Sequence, residues 1–411
     1  MRVELRAALE ELGAARRTGV EARALLVEQL ARPRALGRLL AEHRVLLGRQ
    51  LGAPLLVALL DVVPRGVRLH LVSHTPRVLR IRPAGASVTA REDGCVSIDD
   101  VRARYDRFAR EEAPGRSEVY GAWAAGVAAD PEIAELLAPL PSPHRQPPVV
   151  FAVTRMLGAP LGDYAAWSAF VRGNADRIVA ECAARTTQTN EPLRCAPLAL
   201  ALARIPGPVA LLEVGASAGL CLYADRYAYR FGEETLGDPR SPVVLEAAIE
   251  GLEAPDRLPE IVWRAGIDPQ PRDPRDPADR AWIEGLVWPG EDLRARRISA
   301  ALDVAAAEPP LLVAGDAAAP GALEALAAEA PAGATLVVTT PGVLPHIPRP
   351  GREALIAAIR ALGARWITLD SPGLHDAWNA PVPEGGAGFV LALDGEPIAR
   401  ADPLGSWIHR L

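Results

Sequence analysis

Apolar residues recur at helical spacing through the first fifty positions. Leu5, Leu9 and Leu12 fall at i, i+4 and i+7, and Leu25, Leu26 and Leu30 make a second stripe, which predicts helices. From Pro54 to Ile98 the period shortens to two. Val67-Arg68-Leu69-His70-Leu71-Val72 and Val78-Leu79-Arg80-Ile81 alternate between turn signals and predict a small sheet, with His70 and His74 at surface strand and turn positions. Helical spacing returns after Asp99 or Asp100, either of which can cap a helix reaching about Arg110. It continues over 118–129, 131–137, 149–157 and 164–182, interrupted by a proline-rich linker at 139–148. A further change comes at Val209. From there short apolar runs at 209–214, 243–249, 261–268, 311–314, 335–340 and 365–370 predict strands, the 311–314 run reading as buried. Helices are predicted at 293–307, 322–330 and 353–361, and a hairpin at 388–399. Strand–helix alternation implies a parallel sheet with helices on both faces. The expected organisation is an N-terminal α+β extension over 1–98, a helical cap over 99–190 and a doubly wound α/β domain over 191–411.

One stretch of this pattern carries chemistry. Val209-Ala210-Leu211-Leu212 is an unbroken apolar run, followed by Glu213, Val214 and the turn Gly215-Ala216-Ser217-Ala218-Gly219. Leu220, Leu222 and Tyr223 then resume at helical spacing, so the expectation is buried strand, tight turn and helix. The end glycines allow positive φ and close approach of a ligand, and a helix N-terminus would offer its free N–H groups. Three readings compete. The turn fits the E/D-x-G-x-x-x-G loop of S-adenosylmethionine-dependent methyltransferases. It also fits G-x-S-x-G, the nucleophile elbow of α/β-hydrolases, with Ser217 as nucleophile and Asp370, His375 and His409 as candidate partners. The third reading is a small-residue turn with no ligand.

The methyltransferase reading accounts for more of the chain. The turn follows the first strand of its sheet, whereas a hydrolase elbow follows several, and no HGGG-type oxyanion loop is present. Acids end later strands. Asp268 is the candidate for the ribose hydroxyls, and Asp316, with Ala317 beside it, for the adenine edge. Gly-Ala-Ser-Ala-Gly lacks the G-x-G-x-x-G spacing of a dinucleotide fold. The dense polar run Arg185 to Glu191 offers either helix capping or a polar wall. In the second role Gln188, Asn190 and Glu191 close over the glycine turn.

Composition narrows the field. The 411 residues carry a net charge of −6, so bulk charge does not favour nucleic acid, and the longest apolar run is too short to span a bilayer. Four cysteines without C-x-x-C pairing read as reduced, buried thiols of a cytoplasmic protein. All 45 basic residues are arginine, which removes P-loop lysine, Schiff-base and pyridoxal phosphate mechanisms. No HExxH motif, calcium loop or Cys/His cluster is present, so a dedicated metal site is not expected.

Residues from about 102 to 411 resemble the bacterial family called domain of unknown function 2332. The likeness rests on Arg185 with Thr187-Gln188-Thr189-Asn190-Glu191, Arg194-Cys195, Glu213-x-Gly-Ala-Ser-Ala-Gly-Leu and Asp225-Arg226-Tyr227. It extends through Gly237-Asp238-Pro239, Gly266-Ile267-Asp268, Leu286-Val287-Trp288-Pro289 and Gly315-Asp316-Ala317. The family usually has asparagine at Cys221, a His-Ser pair at Thr340-Pro341, and tyrosine where His346 stands. The resemblance implies a methyltransferase-like fold and no named activity. The expectation is thus a Rossmann-like sheet of S-adenosylmethionine methyltransferase type. S-adenosylmethionine would lie over Glu213, Gly215, Ala216, Ser217 and Gly219, and the methyl acceptor would be a small molecule or a protein side chain. A non-catalytic ligand-binding or regulatory protein on the same fold is the competing class.

Overall fold

A computed structural model describes residues 97–382 and 386–411. The helices and small sheet expected before residue 97, with His70 and His74, lie outside the described residues. The described residues form one compact unit.

Helix α1 (Ile98–Arg107) starts at a capping box. Ser97, not Asp99 or Asp100, is the cap: its hydroxyl accepts from the Asp100 amide, and the Asp100 carboxylate accepts from the Ser97 amide in return. The helix runs on into one π-helical turn at Phe108–Glu112. Four more helices are α2 (Glu118–Ala129), α3 (Pro131–Leu137), α4 (Pro147–Met156) and α5 (Tyr164–Gly173), followed by α6 (Ala175–Ala183). Ser117, Asp130 and Asp163 cap α2, α3 and α5 by the same chemistry. These helices enclose an aromatic core. Trp123 stacks on Trp167 with centroids 5.3 Å apart, and Phe108 meets Trp288 at 5.0 Å. Trp282, Leu286 and Trp288 come from the sheet region of the chain, so the Leu286-Val287-Trp288-Pro289 motif is a plug that ties the two layers together.

After α7 (Cys195–Leu202) the chain enters the sheet: β1 (Pro208–Val214), β2 (Ala228–Phe231), β3 (Glu234–Leu236), β4 (Val244–Glu250) and β5 (Glu260–Asp268). Then come α8 (Pro277–Gly285), α9 (Asp292–Ala307), β6 (Leu311–Ala314), α10 (Ala322–Ala327), β7 (Thr335–Pro341), α11 (Arg349–Ala361) and β8 (Arg365–Asp370). Three strands close the chain: β9 (Phe389–Leu393), β10 (Glu396–Ala401) and β11 (Trp407–Arg410). The order is β3-β2-β4-β11-β10-β9-β8-β7-β1-β5-β6. The run β8-β7-β1-β5-β6 is parallel throughout, and β9 and β10 join antiparallel. The protein is therefore a mixed α/β fold on a large, mostly parallel sheet. One face packs on α7 and α9, the other on α10 and α11.

Two expectations are corrected. No α-helix follows the glycine turn; Leu220–Tyr223 make a single 3-10 turn and the chain folds back into β2. The hydroxyls of buried Tyr227 and Tyr229 donate to the carbonyls of Leu220 (2.7 Å) and Ala224 (2.6 Å), which a continuing helix would need. The anion site expected at that helix N-terminus is absent with it. Strand β6 is apolar but not buried: it forms one edge of the sheet, with Leu311 41% and Val313 36% exposed.

Candidate functional site

Strand order reverses at β1, where β5 and β6 extend to one side and β7 and β8 to the other. In an open α/β sheet that reversal opens a crevice at the strand C-termini. Register sets Glu213 beside Gly266 and Thr339, and Asp268 beside Ala314. The glycine turn leaves β1 at this point. Gly215 and Gly219 hold φ of +75° and +72°, and Ser217 also sits at +49°. A residue with a Cβ pays about 1 kcal/mol there, so the serine is held by its surroundings. Packing is close: a Cβ on Gly266 would lie 2.4 Å from that of Ala216.

The surroundings that hold it are hydrogen bonds. The amides of Gly215 (2.8 Å) and Ala216 (3.5 Å) donate to the Ile267 carbonyl, and that of Gly219 to Ala216 (2.6 Å). The Ser217 amide donates to Asp268 Oδ2 at 2.9 Å, and the Ala218 amide to Asn190 Oδ1 at 3.2 Å. Asn190 Nδ2 also donates to the Ser217 hydroxyl at 3.0 Å. The other Asp268 oxygen accepts from the Gln270 amide at 2.7 Å. Gln188 links in, donating to the Gln270 carbonyl and accepting from Arg272 Nε, both at 2.9 Å. Gln188, Asn190, Ser217 and Asp268 are thus gathered on the turn, and all five turn amides are bonded within the protein.

Other expected residues stand apart from the turn. Glu191 carries a side chain with 0% exposure whose oxygens accept from Arg294 Nε (2.9 Å) and Arg297 Nε (2.8 Å) on α9. Asp316 is exposed at the end of β6 and accepts from the Ala318 amide at 2.9 Å, with Ala317 buried beside it. The Gly315 amide donates to the Asp268 carbonyl at 3.0 Å, which joins the two strand ends.

Glu213 is the unusual group. It is buried, and its Oε2 has no hydrogen-bond partner. Burial pushes its carboxyl well above the usual range, Cys221 and Asp268 push the same way, and Arg194 opposes. Arg194 is fixed by carbonyls: Nη1 donates to Pro341 at 3.0 Å and Nε to Pro403 at 2.9 Å. It crosses Gly342, where a Cβ would lie 2.9 Å from its Nη2. Asp370, at the end of β8, is wholly buried. Burial raises its carboxyl to about 7, against hydrogen bonds from the amides of Ser371 and Leu344. Asp370 is thus a third carboxyl at the strand ends, and sequence reasoning considered it only as a hydrolase partner. Its position after an apolar run was the available signal. For Arg294 and Arg297, the i, i+3 spacing on one helix face was the only signal.

Some shared motif residues are structural. Arg264 Nη2 bonds both oxygens of Asp225 at 2.6 Å, which pins the chain after the glycine turn to β5. A Cβ on Gly237 would lie 2.4 Å from the Tyr227 carbonyl. Among the described residues no cluster of three or more His, Cys, Asp or Glu could hold a metal, and no helix is long and apolar enough to cross a membrane.

No curated protein and no solved structure matches the chain. A family model does, over residues 102–410, most of the described region and well over half of the sequence. The chain belongs to the family described as "Uncharacterized protein conserved in bacteria (DUF2332)".

Proposed function

We propose that the protein is a methyltransferase or methyltransferase-like protein on a Rossmann-like sheet, with S-adenosylmethionine as its ligand at the ends of β1, β5 and β6. One observation carries this reading. Ranked by chain position, the five parallel strands run third, second, first, fourth, fifth, with the glycine turn ending the first and Asp268 and Asp316 near the ends of the second and third. Because the turn amides are spent, polar contacts to the ligand fall to acids with acceptor capacity left. The ribose hydroxyls would donate to Asp268 and the adenine amine to exposed Asp316. The unpartnered Glu213 carboxyl sits near the end of β1, where burial pushes it well above the usual range. Methyl transfer from a sulfonium needs alignment more than acid–base chemistry, so the acceptor is a small molecule or protein side chain held in line with the methyl group. A cytoplasmic location belongs to the same reading, supported by three buried free cysteines among the described residues.

A second reading, a non-catalytic ligand-binding or regulatory protein, is favoured by the self-satisfied turn. The serine-hydrolase reading is less favoured, because the Ser217 hydroxyl is buried and accepts from Asn190. Calorimetric titration with S-adenosylhomocysteine, with NAD as control, tests the proposal. Saturable binding of the first alone is expected, weakened by Asp316→Ala. Absence of binding to a folded protein would remove the reading.

A further inference from the structure

A groove of about 540 Å³ opens between the first turn of α9 and the turn joining β10 to β11, within the size range of small-molecule sites. Its lining includes Glu191, Arg294, Arg296, Arg297, Asp402 and Ser406. Its acids are largely committed. Glu191 accepts from Arg294 and Arg297. Glu291 accepts from Arg116 at 2.8 Å and from Arg294 Nη1 at 2.9 Å. Asp402 accepts from the amides of Leu404 (3.0 Å) and Ser406 (3.2 Å). Asp292, exposed at the rim, is the uncommitted acid.

The donors are not committed. Arg297 spends only Nε, which leaves both Nη groups unbonded; Arg294 keeps Nη2; and Arg296 has no ion pair among the described residues. Glu291 makes no side-chain cap on α9, so the first-turn amides are also unspent. A guanidinium held at Nε by a buried carboxylate is fixed in orientation, and its Nη edge presents two donors suited to an oxyanion. We infer that this groove binds the phosphate or carboxylate group of a small molecule, with Arg297 and Arg296 as its main contacts and Glu191 as the residue that positions Arg297 and Arg294. The site does not depend on the adenosyl reading.

The test is calorimetric titration of the full chain with inorganic phosphate and, separately, with succinate, at constant ionic strength. Saturable binding of at least one anion is expected. Arg297→Ala should weaken it roughly tenfold or more, equivalent to about 1.4 kcal/mol, and Arg296→Ala by a smaller factor. Arg230→Ala should change nothing, since Arg230 pairs with Glu246 across β2 and β4, both side chains being exposed and outside the groove. The stronger anion identifies the ligand as a phosphate ester or a carboxylate. Should Arg297→Ala fail to fold, Arg296→Ala decides, because its exposed, unpaired side chain contributes little to stability. No saturable heat with either anion, or equal affinity in wild type and Arg296→Ala, would overturn the inference. S-adenosylhomocysteine affinity would be unaffected by either result.

Discussion

Two glutamates are buried almost equally and meet opposite surroundings. Glu191 is 1% exposed and Glu213 is 4% exposed. Glu191 is met by two guanidiniums and a backbone amide. Glu213 is met by no donor at Oε2, and burial pushes its carboxyl well above the usual range. Burial alone does not decide what an acid does; the partners placed around it do. The first glutamate is a fastening between the 190–194 segment and α9. The second is an unpartnered carboxyl left near the end of β1, where a ligand is proposed to lie.

Removing the paired member should cost most. Glu191→Ala leaves Arg297 without an acid and Arg294 with Glu291 alone, and a loss of about 3 kcal/mol is expected in urea unfolding. A change under about 1 kcal/mol would mean the pair is screened and the contrast is false. Asp370 sharpens the comparison from between the two, since it is buried but held by amides. Its carboxyl is raised to about 7 in the fold, against 3.8 unfolded. The native state therefore binds the extra proton between these values. Its contribution is fully present below pH 4, is lost as pH rises towards 7, and is constant above that, a fall on the order of a few kcal/mol. Asp370→Asn should flatten that slope in a pH series of thermal melts. Next in size is Asn190→Ala, which strands the Ala218 amide and the Ser217 hydroxyl and should cost about 1 to 3 kcal/mol. The smallest effect is expected of Glu213→Gln. Burial and Cys221 push this carboxyl up, so exchange for a neutral amide should leave stability within about 1 kcal/mol of wild type. If Glu213 instead carried charge, the change would be stabilising by several kcal/mol and would grow with pH.

The sheet was legible where both faces are covered. Apolar runs at β1, β7 and β8 report burial because α7, α9, α10 and α11 pack over them. The same kind of run at β6 misleads, since Leu311-Leu312-Val313 cannot encode that the strand ends the sheet. The helix expected after Gly219 failed because tyrosines eight and ten residues onward take its carbonyls. Gln188, Asn190 and Glu191 were expected as a polar wall over the turn; Asn190 bonds the turn directly, and Gln188 bonds Gln270 and Arg272 beside it. Glu191 was read as part of that wall, yet it answers to arginines 103 and 106 residues away. Likewise, Glu213 stood out as a strand-end acid, while the upward push on its carboxyl comes from burial first and then from Cys221, against Arg194, all of them set only by the fold.

The surroundings of Glu213 can be measured directly by ¹³C NMR of protein labelled at glutamate carboxyls. The resonance that vanishes in Glu213→Gln should titrate at higher pH than those of the exposed glutamates. If it instead titrates with the exposed glutamates, the raised, unpartnered acid at the end of β1 does not exist, and the account built on it fails.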